Sequence, residues 1–208
     1  MSTIEATSKT TTRVPGDSAP QSRTLQVFLT RGVIAIAWAV VFAAVSHSLT
    51  TGVTAGAGVL LVLYPLIDAV ASLIDARSQH GSARQLLLAN AGSSIVAAVA
   101  LGVAAAGSVA SVLAVFGVWA AVSGAAQLVV VLRRRARLGN QWPLLLANSG
   151  SVIGGIVFLI VAAGGHPKLM LLAIYAATGG IEFVIQAGLL AQRRRHLATL
   201  PATVLGAS

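Results

Sequence analysis

Along the chain, long apolar stretches alternate with short basic groups. Each stretch is interrupted once near its middle by a polar or small-residue patch: Ser46 to Gly52, then Ala106-Gly107-Ser108, then Gly164 to Lys168. A helix crosses a bilayer with about 20 apolar residues, so each stretch of roughly 50 supplies two crossings and a turn. The pattern predicts helices over 27–47, 52–74, 85–106, 109–132, 143–164 and 168–191. They form three hairpins, at about 27–74, 85–132 and 143–191. The expected fold class is therefore all-α integral membrane, with six transmembrane helices inside a domain spanning 26–195. Pro65 falls inside the second helix and is expected to kink it.

The ends are different material. Residues 1–25 are rich in Ser, Thr and Pro and carry no apolar run, so they are expected to be a disordered tail. The same polarity is wrong for the apolar region of a cleaved signal peptide, which makes 27–47 a retained first helix. Residues 196–208 read as a second short tail.

Composition agrees with this reading. The 208 residues are 56% hydrophobic and 9% charged, and mean hydropathy is +0.87. A globular domain carries about 25% charged residues, so a water-soluble fold is excluded. With no cysteine, a disulfide scaffold, an iron–sulfur cluster and a cysteine-ligated zinc site are excluded too. The net charge of +9 suggests nucleic acid until the charges are placed. Of the 14 Lys and Arg residues, all but Lys168 lie on one side of the predicted helices. Basic flanks mark the cytoplasmic side, so both termini are expected in the cytoplasm. The clusters Arg133–Arg137 and Arg193–Arg195 are helix ends without aromatic interleaving, which argues against nucleic acid. They would fix topology and could meet anionic lipid headgroups. The excess of Arg over Lys hints at a GC-rich bacterial genome, hence a bacterial plasma membrane.

The chain also looks internally repeated. Leu86-Leu87-Leu88-Ala89-Asn90-Ala91-Gly92-Ser93 matches Leu144-Leu145-Leu146-Ala147-Asn148-Ser149-Gly150-Ser151, and Arg31 falls at the equivalent place in the first hairpin. The even-numbered helices align on Tyr64, Trp119 and Tyr175. Three tandem hairpins in parallel orientation imply a pseudo-threefold bundle. Small residues spaced by four, such as Gly150 and Gly154 or Ala176 and Gly180, would let its helices approach closely.

Several motifs carry a family resemblance. They are Arg31-Gly32-Val33 in the first helix and Tyr64-Pro65-Leu66-Ile67-Asp68-Ala69 in the second. Phe116-Gly117-Val118-Trp119 with Ser123-Gly124 follows in the fourth, and Tyr175 with Thr178-Gly179-Gly180-Ile181-Glu182 in the sixth. Together they resemble the HdeD-like family of small bacterial membrane proteins, built of short helical-hairpin repeats and named for a member linked to acid resistance. Ala69 stands where such repeats often carry Gly, and Ser46–Gly52 replaces the usual proline-containing turn. The resemblance covers roughly residues 26–195 and implies a non-enzymatic protein of acid or envelope stress response.

Asp68 and Glu182 are the two acids well inside predicted spans. They lie roughly 13 Å and 16 Å from the nearest basic flank at 1.5 Å per residue. Charge at such depth is costly and is usually paired or turned to a cavity. Tyr64, Asp68, Ser72 and Asp75 share a face of the second helix. Trp119, Ser123 and Gln127 share one on the fourth, and Tyr175, Thr178, Glu182 and Gln186 one on the sixth. With Arg31, Asn90 and Asn148 at matching depth on the odd helices, a polar cluster of Arg31, Asp68, Asn90, Gln127, Asn148 and Glu182 is expected in the cytoplasmic half. Two readings stand open: interhelical hydrogen bonds that fix packing, or a proton-linked transporter or channel titrating at Asp68 and Glu182. A third, a structural partner subunit assembling through small-residue faces as a homo-oligomer or with another membrane protein, needs no titrating group. The histidines His47, His80, His166 and His196 fall in loops or tails and make no metal site. Gly56-Ala57-Gly58 lacks the preceding strand of a dinucleotide loop. No nucleophile with a base is visible, so catalytic, metal and cofactor residues are expected to be none.

Overall fold

The computed structural model describes residues 18–46, 49, 52–138 and 142–199. It is all helical: α1 Ser18–Ser46, α2 Ala55–Ala76, α3 Gly81–Ala105, α4 Val109–Leu138, α5 Trp142–Ala163 and α6 Met170–Thr199. Five of these contain segments long and apolar enough to cross a membrane: Leu25–Ser46, Ala55–Ala76, Gly81–Ala105, Val109–Val129 and Met170–Gln192. In α5 the fully described apolar part is Ser149–Ala163. The chain is an all-α membrane protein.

Three helices outrun their apolar segments. α1 starts at Ser18, inside the stretch expected to be a tail, and α6 continues to Thr199, so His196 is helical rather than in a tail. α4 carries Arg133–Arg137 on a helical extension. Once nucleated in the bilayer, a helix propagates at one hydrogen bond per residue, which carries it past the hydrophobic boundary. α2 runs unbroken through Pro65.

Local chemistry sets the turns. Thr54 caps α2, its Oγ1 accepting from the Ala57 amide. At the start of α4, the Ser108 and Ser111 amides each donate to the other's hydroxyl, at 2.9 and 3.2 Å, in a reciprocal cap. Between α2 and α3 the chain reverses at Gly81, whose φ of +59° suits a residue without Cβ.

The six helices form a closed ring in chain order, with α1 packed along α6. The extensive contacts are α2 with α3, α4 with α5, and α1 with α6; α1 with α2 and α5 with α6 touch lightly. The closest packing therefore joins neighbouring hairpins; α3 and α4 pack to an intermediate extent, and the two helices of the first and third hairpins touch only lightly. Glycine sets two of these three close contacts, α4 with α5 and α1 with α6. The backbones of α4 and α5 meet at Gly117 and Gly155, where a Cβ on Gly155 would lie 2.5 Å from the Ala121 amide nitrogen. α1 and α6 meet at Gly32 and Gly180, each of whose Cβ positions is 2.9 Å from the other's carbonyl oxygen. Between helices in lipid no hydrophobic force selects partners, and small residues that permit close approach do so instead. Branched side chains point outward, among them Val40, Val96, Val103, Ile153, Ile160 and Ile174.

The interior is layered. Towards the end of the bundle remote from the termini it is filled by buried Phe42, Leu61, Leu101, Val112, Leu113, Leu169 and Leu172. At mid-depth an aromatic band follows: Trp38, Tyr64, Phe116, Trp119, Phe158 and Tyr175. Phe116 is its hub, with ring centroids of Tyr64, Trp119, Phe158 and Tyr175 at 5.2–5.7 Å. The half nearer the termini holds the polar residues.

Candidate functional site

Asp68 organises the polar half. Its Oδ1 accepts from Arg31 Nη2 at 2.9 Å. Its Oδ2 accepts from Asn90 Nδ2 at 2.8 Å and from Ser94 Oγ at 2.9 Å. Arg31 Nη1 reaches Asp75 Oδ2 at 3.1 Å, so one guanidinium bridges two carboxylates a helical repeat apart on α2. Asn90 Nδ2 also donates to Ser72 Oγ at 3.0 Å. Ser94 Oγ in turn accepts from Trp119 Nε1 at 3.1 Å, tying the group to the aromatic band. The face of the guanidinium rests on Phe183 of α6, 5.4 Å from the ring centroid, a favourable cation–π contact.

The group thus draws on α1, α2, α3, α4 and α6. It spans the lightly packed α1–α2 pair, which Trp38 Nε1 bridges again by donating to the Leu60 carbonyl at 2.8 Å. The equally loose α5–α6 pair is bridged by the Tyr175 hydroxyl and Ser151 Oγ, 3.1 Å apart. Charge in a bilayer is expensive unless paired, and here the arginine and both acids are paired. The side chains of Arg31 and Asp68 are each 22% exposed, so the group is neither open to solvent nor sealed.

Of the six residues expected to cluster, the structure brings Arg31, Asp68 and Asn90 together. Gln127 is exposed on the outside of α4. It lies two steps of four residues from Trp119, and each step drifts about 40° round a helix of 3.6 residues per turn, which carries Gln127 off the inward face. Glu182 stays on the face of Tyr175, seven residues away, but that face meets α5: its Oε1 lies 3.8 Å from where a Cβ of Gly150 would stand. Among the described residues it makes no hydrogen bond or ion pair. The side chain of Asn148 lies outside the described residues. Asp75 and Ser72 complete the group as their shared face with Asp68 implied. Ser94 was legible only as the residue one turn beyond Asn90, and no sequence signal marked Phe183.

Among the described residues, two buried polar atoms here have no partner, Asn90 Oδ1 and Ser123 Oγ. Among the described residues no three His, Cys, Asp or Glu side chains gather as a metal-binding group.

The weight of one link can be measured. Trp119→Phe keeps the ring in the aromatic band and removes the donor to Ser94. It should cost about 0.6 kcal/mol, the average worth of an interhelical hydrogen bond in a membrane protein, seen as a lowered midpoint in detergent unfolding. Trp119→Ala should cost about 3–5 kcal/mol through the lost ring volume. Equal losses in the two variants would show that the hydrogen bond, not packing, dominates.

No protein-family model, no curated protein and no solved structure matches the chain.

Proposed function

We propose that this chain is a non-enzymatic, multi-pass protein of the bacterial plasma membrane, of the HdeD-like type, with a role in acid or envelope stress response and with both termini in the cytoplasm. In this reading the Arg31–Asp68–Asn90 group is an interhelical clasp and not a conducting site. The observation that carries it is the position of Asp68. Its carboxylate already accepts from Arg31, Asn90 and Ser94, and the aromatic band and buried aliphatic side chains fill the bundle between it and the far end. Among the described residues, the side chains that fill the interior beyond Asp68 are mainly aromatic and aliphatic. The exposed Arg77, Arg84 and Arg195 lie at the terminal side, where they suit anionic headgroups.

The test is pH-dye flux in proteoliposomes under an imposed proton gradient. No flux above empty liposomes is expected for the wild type, Asp68→Asn or Glu182→Gln. Flux that both substitutions reduce would replace the clasp by a proton-coupled pathway. The stress role is read separately, as loss of acid survival in a bacterium lacking the chain and its restoration by the wild type.

A further inference from the structure

The ring divides into two bodies. α2, α3, α4 and α5 pack in unbroken succession, and α1 with α6 forms a second unit. The seams between the two, α1–α2 and α5–α6, are the lightly packed ones. Each body is tied within itself. Gly32 and Gly180 bring the backbones of α1 and α6 together, and Arg31 of α1 lies on Phe183 of α6. In the four-helix block, Asp68 is bonded to Asn90 and Ser94, and Ser94 to Trp119.

The joints between the bodies change along the bundle. Both passages of the chain from one to the other, Ser46 to Ala55 and Ala163 to Met170, lie at the end remote from the termini. That end is filled by apolar side chains of both bodies, Phe42 and Leu172 from one and Leu61 and Leu113 from the other. At mid-depth rings meet across the seams: Trp38 with Tyr64 at 4.6 Å, and Tyr175 with Phe116 and Phe158 at 5.5 Å. Nearer the termini the joints are polar. Among the described residues they are the bonds of Arg31 to Asp68 and Asp75, and of Tyr175 to Ser151. Apolar contact is non-directional and tolerates a small tilt. A charge-assisted hydrogen bond has a fixed length and direction, and a tilt breaks it.

We propose that α1 and α6 form an arm hinged on the α2–α5 block, with its pivot at the aromatic band and the far turns, and that Arg31 with Asp68 and Asp75 is the latch closing its terminal end. Two features make this a latch and not a permanent weld. The three side chains are 22–32% exposed, so the group is reached from the terminal side. On opening, each side also keeps partners in its own body: Phe183 for Arg31, Asn90 and Ser94 for Asp68. Neither charge is then left bare, which keeps the open form within the few kcal/mol at which a minor state is populated. A tilt of about 10°, on the scale of known rigid-body rotations, moves the terminal end of a helix about 33 Å long by about 6 Å. The device rests on the clasp of the proposed function, and it needs neither conduction nor the stress role.

Distances between spin labels, measured by pulsed electron resonance on the full chain in nanodiscs, test it; the chain has no cysteine of its own. Labels at the exposed positions of Gln26→Cys with Ser78→Cys span the terminal end of the α1–α2 seam, and Val45→Cys with Ala106→Cys the far end. Gln26→Cys with Gln192→Cys, and Ser78→Cys with Gln127→Cys, report on each body by itself. In the double variant Asp68→Asn, Asp75→Asn the first pair should gain a second component about 6 Å longer, while the other three keep their wild-type distances. Should that variant fail to fold, Asp75→Asn alone decides. It leaves Asp68 bonded to Arg31 and should show the longer component as a minor population. A folded variant with the single wild-type distance would make the group a static clasp and overturn the hinge. Lengthening of the within-body distances as well would overturn it too, as general loosening of the bundle. Conduction is read by the flux assay, so the two proposals fail separately.

Discussion

Replacing Gly155 with alanine should separate α4 from α5 and destabilise the bundle by about 1–2 kcal/mol, although alanine is the better helix former. The magnitudes decide the sign. Glycine to alanine in a helix interior gains about 1 kcal/mol in propensity. Against that, the new methyl would stand 2.5 Å from the Ala121 nitrogen and 2.6 Å from the Gly117 carbonyl oxygen. Both are backbone atoms, so no rotamer change relieves the clash. The helices must part by roughly an ångström, and overpacking of this kind costs about 1–3 kcal/mol and sometimes more. The lost approach also removes dispersion along the whole α4–α5 contact. Gly92 is the control: a Cβ there meets nothing within 4 Å, so Gly92→Ala should gain up to about 1 kcal/mol. Thermal unfolding in nanodiscs, followed by tryptophan fluorescence, measures both. If Gly155→Ala were as stable as Gly92→Ala, glycine contact would not be what selects helix neighbours here.

Asp68→Ala is expected to be the most damaging substitution in the polar half, at about 1–3 kcal/mol, the usual cost of leaving buried hydrogen-bonding groups without a partner. The change leaves the guanidinium with Asp75 alone. It also takes the acceptor from Asn90 Nδ2 and Ser94 Oγ. Single interhelical hydrogen bonds in membrane proteins average only about 0.6 kcal/mol, so the prediction rests on three donors losing one shared acceptor together. A double-mutant cycle with Arg31→Met isolates the Arg31 term. Arg31→Met should cost less in the Asp68→Ala background than in the wild type, because it then leaves one carboxylate, Asp75, without its partner and not two. Additive losses would mean that the two side chains are not energetically coupled and that the clasp is a geometric coincidence.

The contrast between Asp68 and Glu182 follows from position on the helix surface. By sequence they are similar, single acids inside apolar runs and each aligned with a tyrosine. On α2, the face of Tyr64 also carries Asp75 and meets Arg31. On α6, the face of Tyr175 meets the glycines of α5, while Arg31 lies over neighbouring Phe183. A single residue step, about 100° round the helix, separates the face that touches the arginine from the one that does not. One acid therefore holds helices of the ring together, while the other faces α5 with no ion pair among the described residues.

What the sequence by itself determined is the set of terms that act on each segment alone. The transfer of an apolar helix into lipid depends on its own length and composition, so six helices and their turns were legible, although α1, α4 and α6 run six to nine residues beyond their expected ends. Periodicity placed Asp68, Ser72 and Asp75 on one face of α2, and depth alone put Arg31 and Asn90 at a matching level. Only the tertiary structure decided which faces meet. It put α6 beside α1, set the closest contacts between hairpins, turned Gln127 outward, and left Glu182 in a glycine-lined seam. The reason is physical. Hydropathy cannot rank helix partners when lipid is as apolar as any side chain, and the choice falls to backbone approach at Gly32, Gly117, Gly155 and Gly180 and to hydrogen bonds closed across the ring. Those are pairwise terms between distant residues, and their strength depends on rotations of a few tens of degrees that a one-dimensional pattern does not carry.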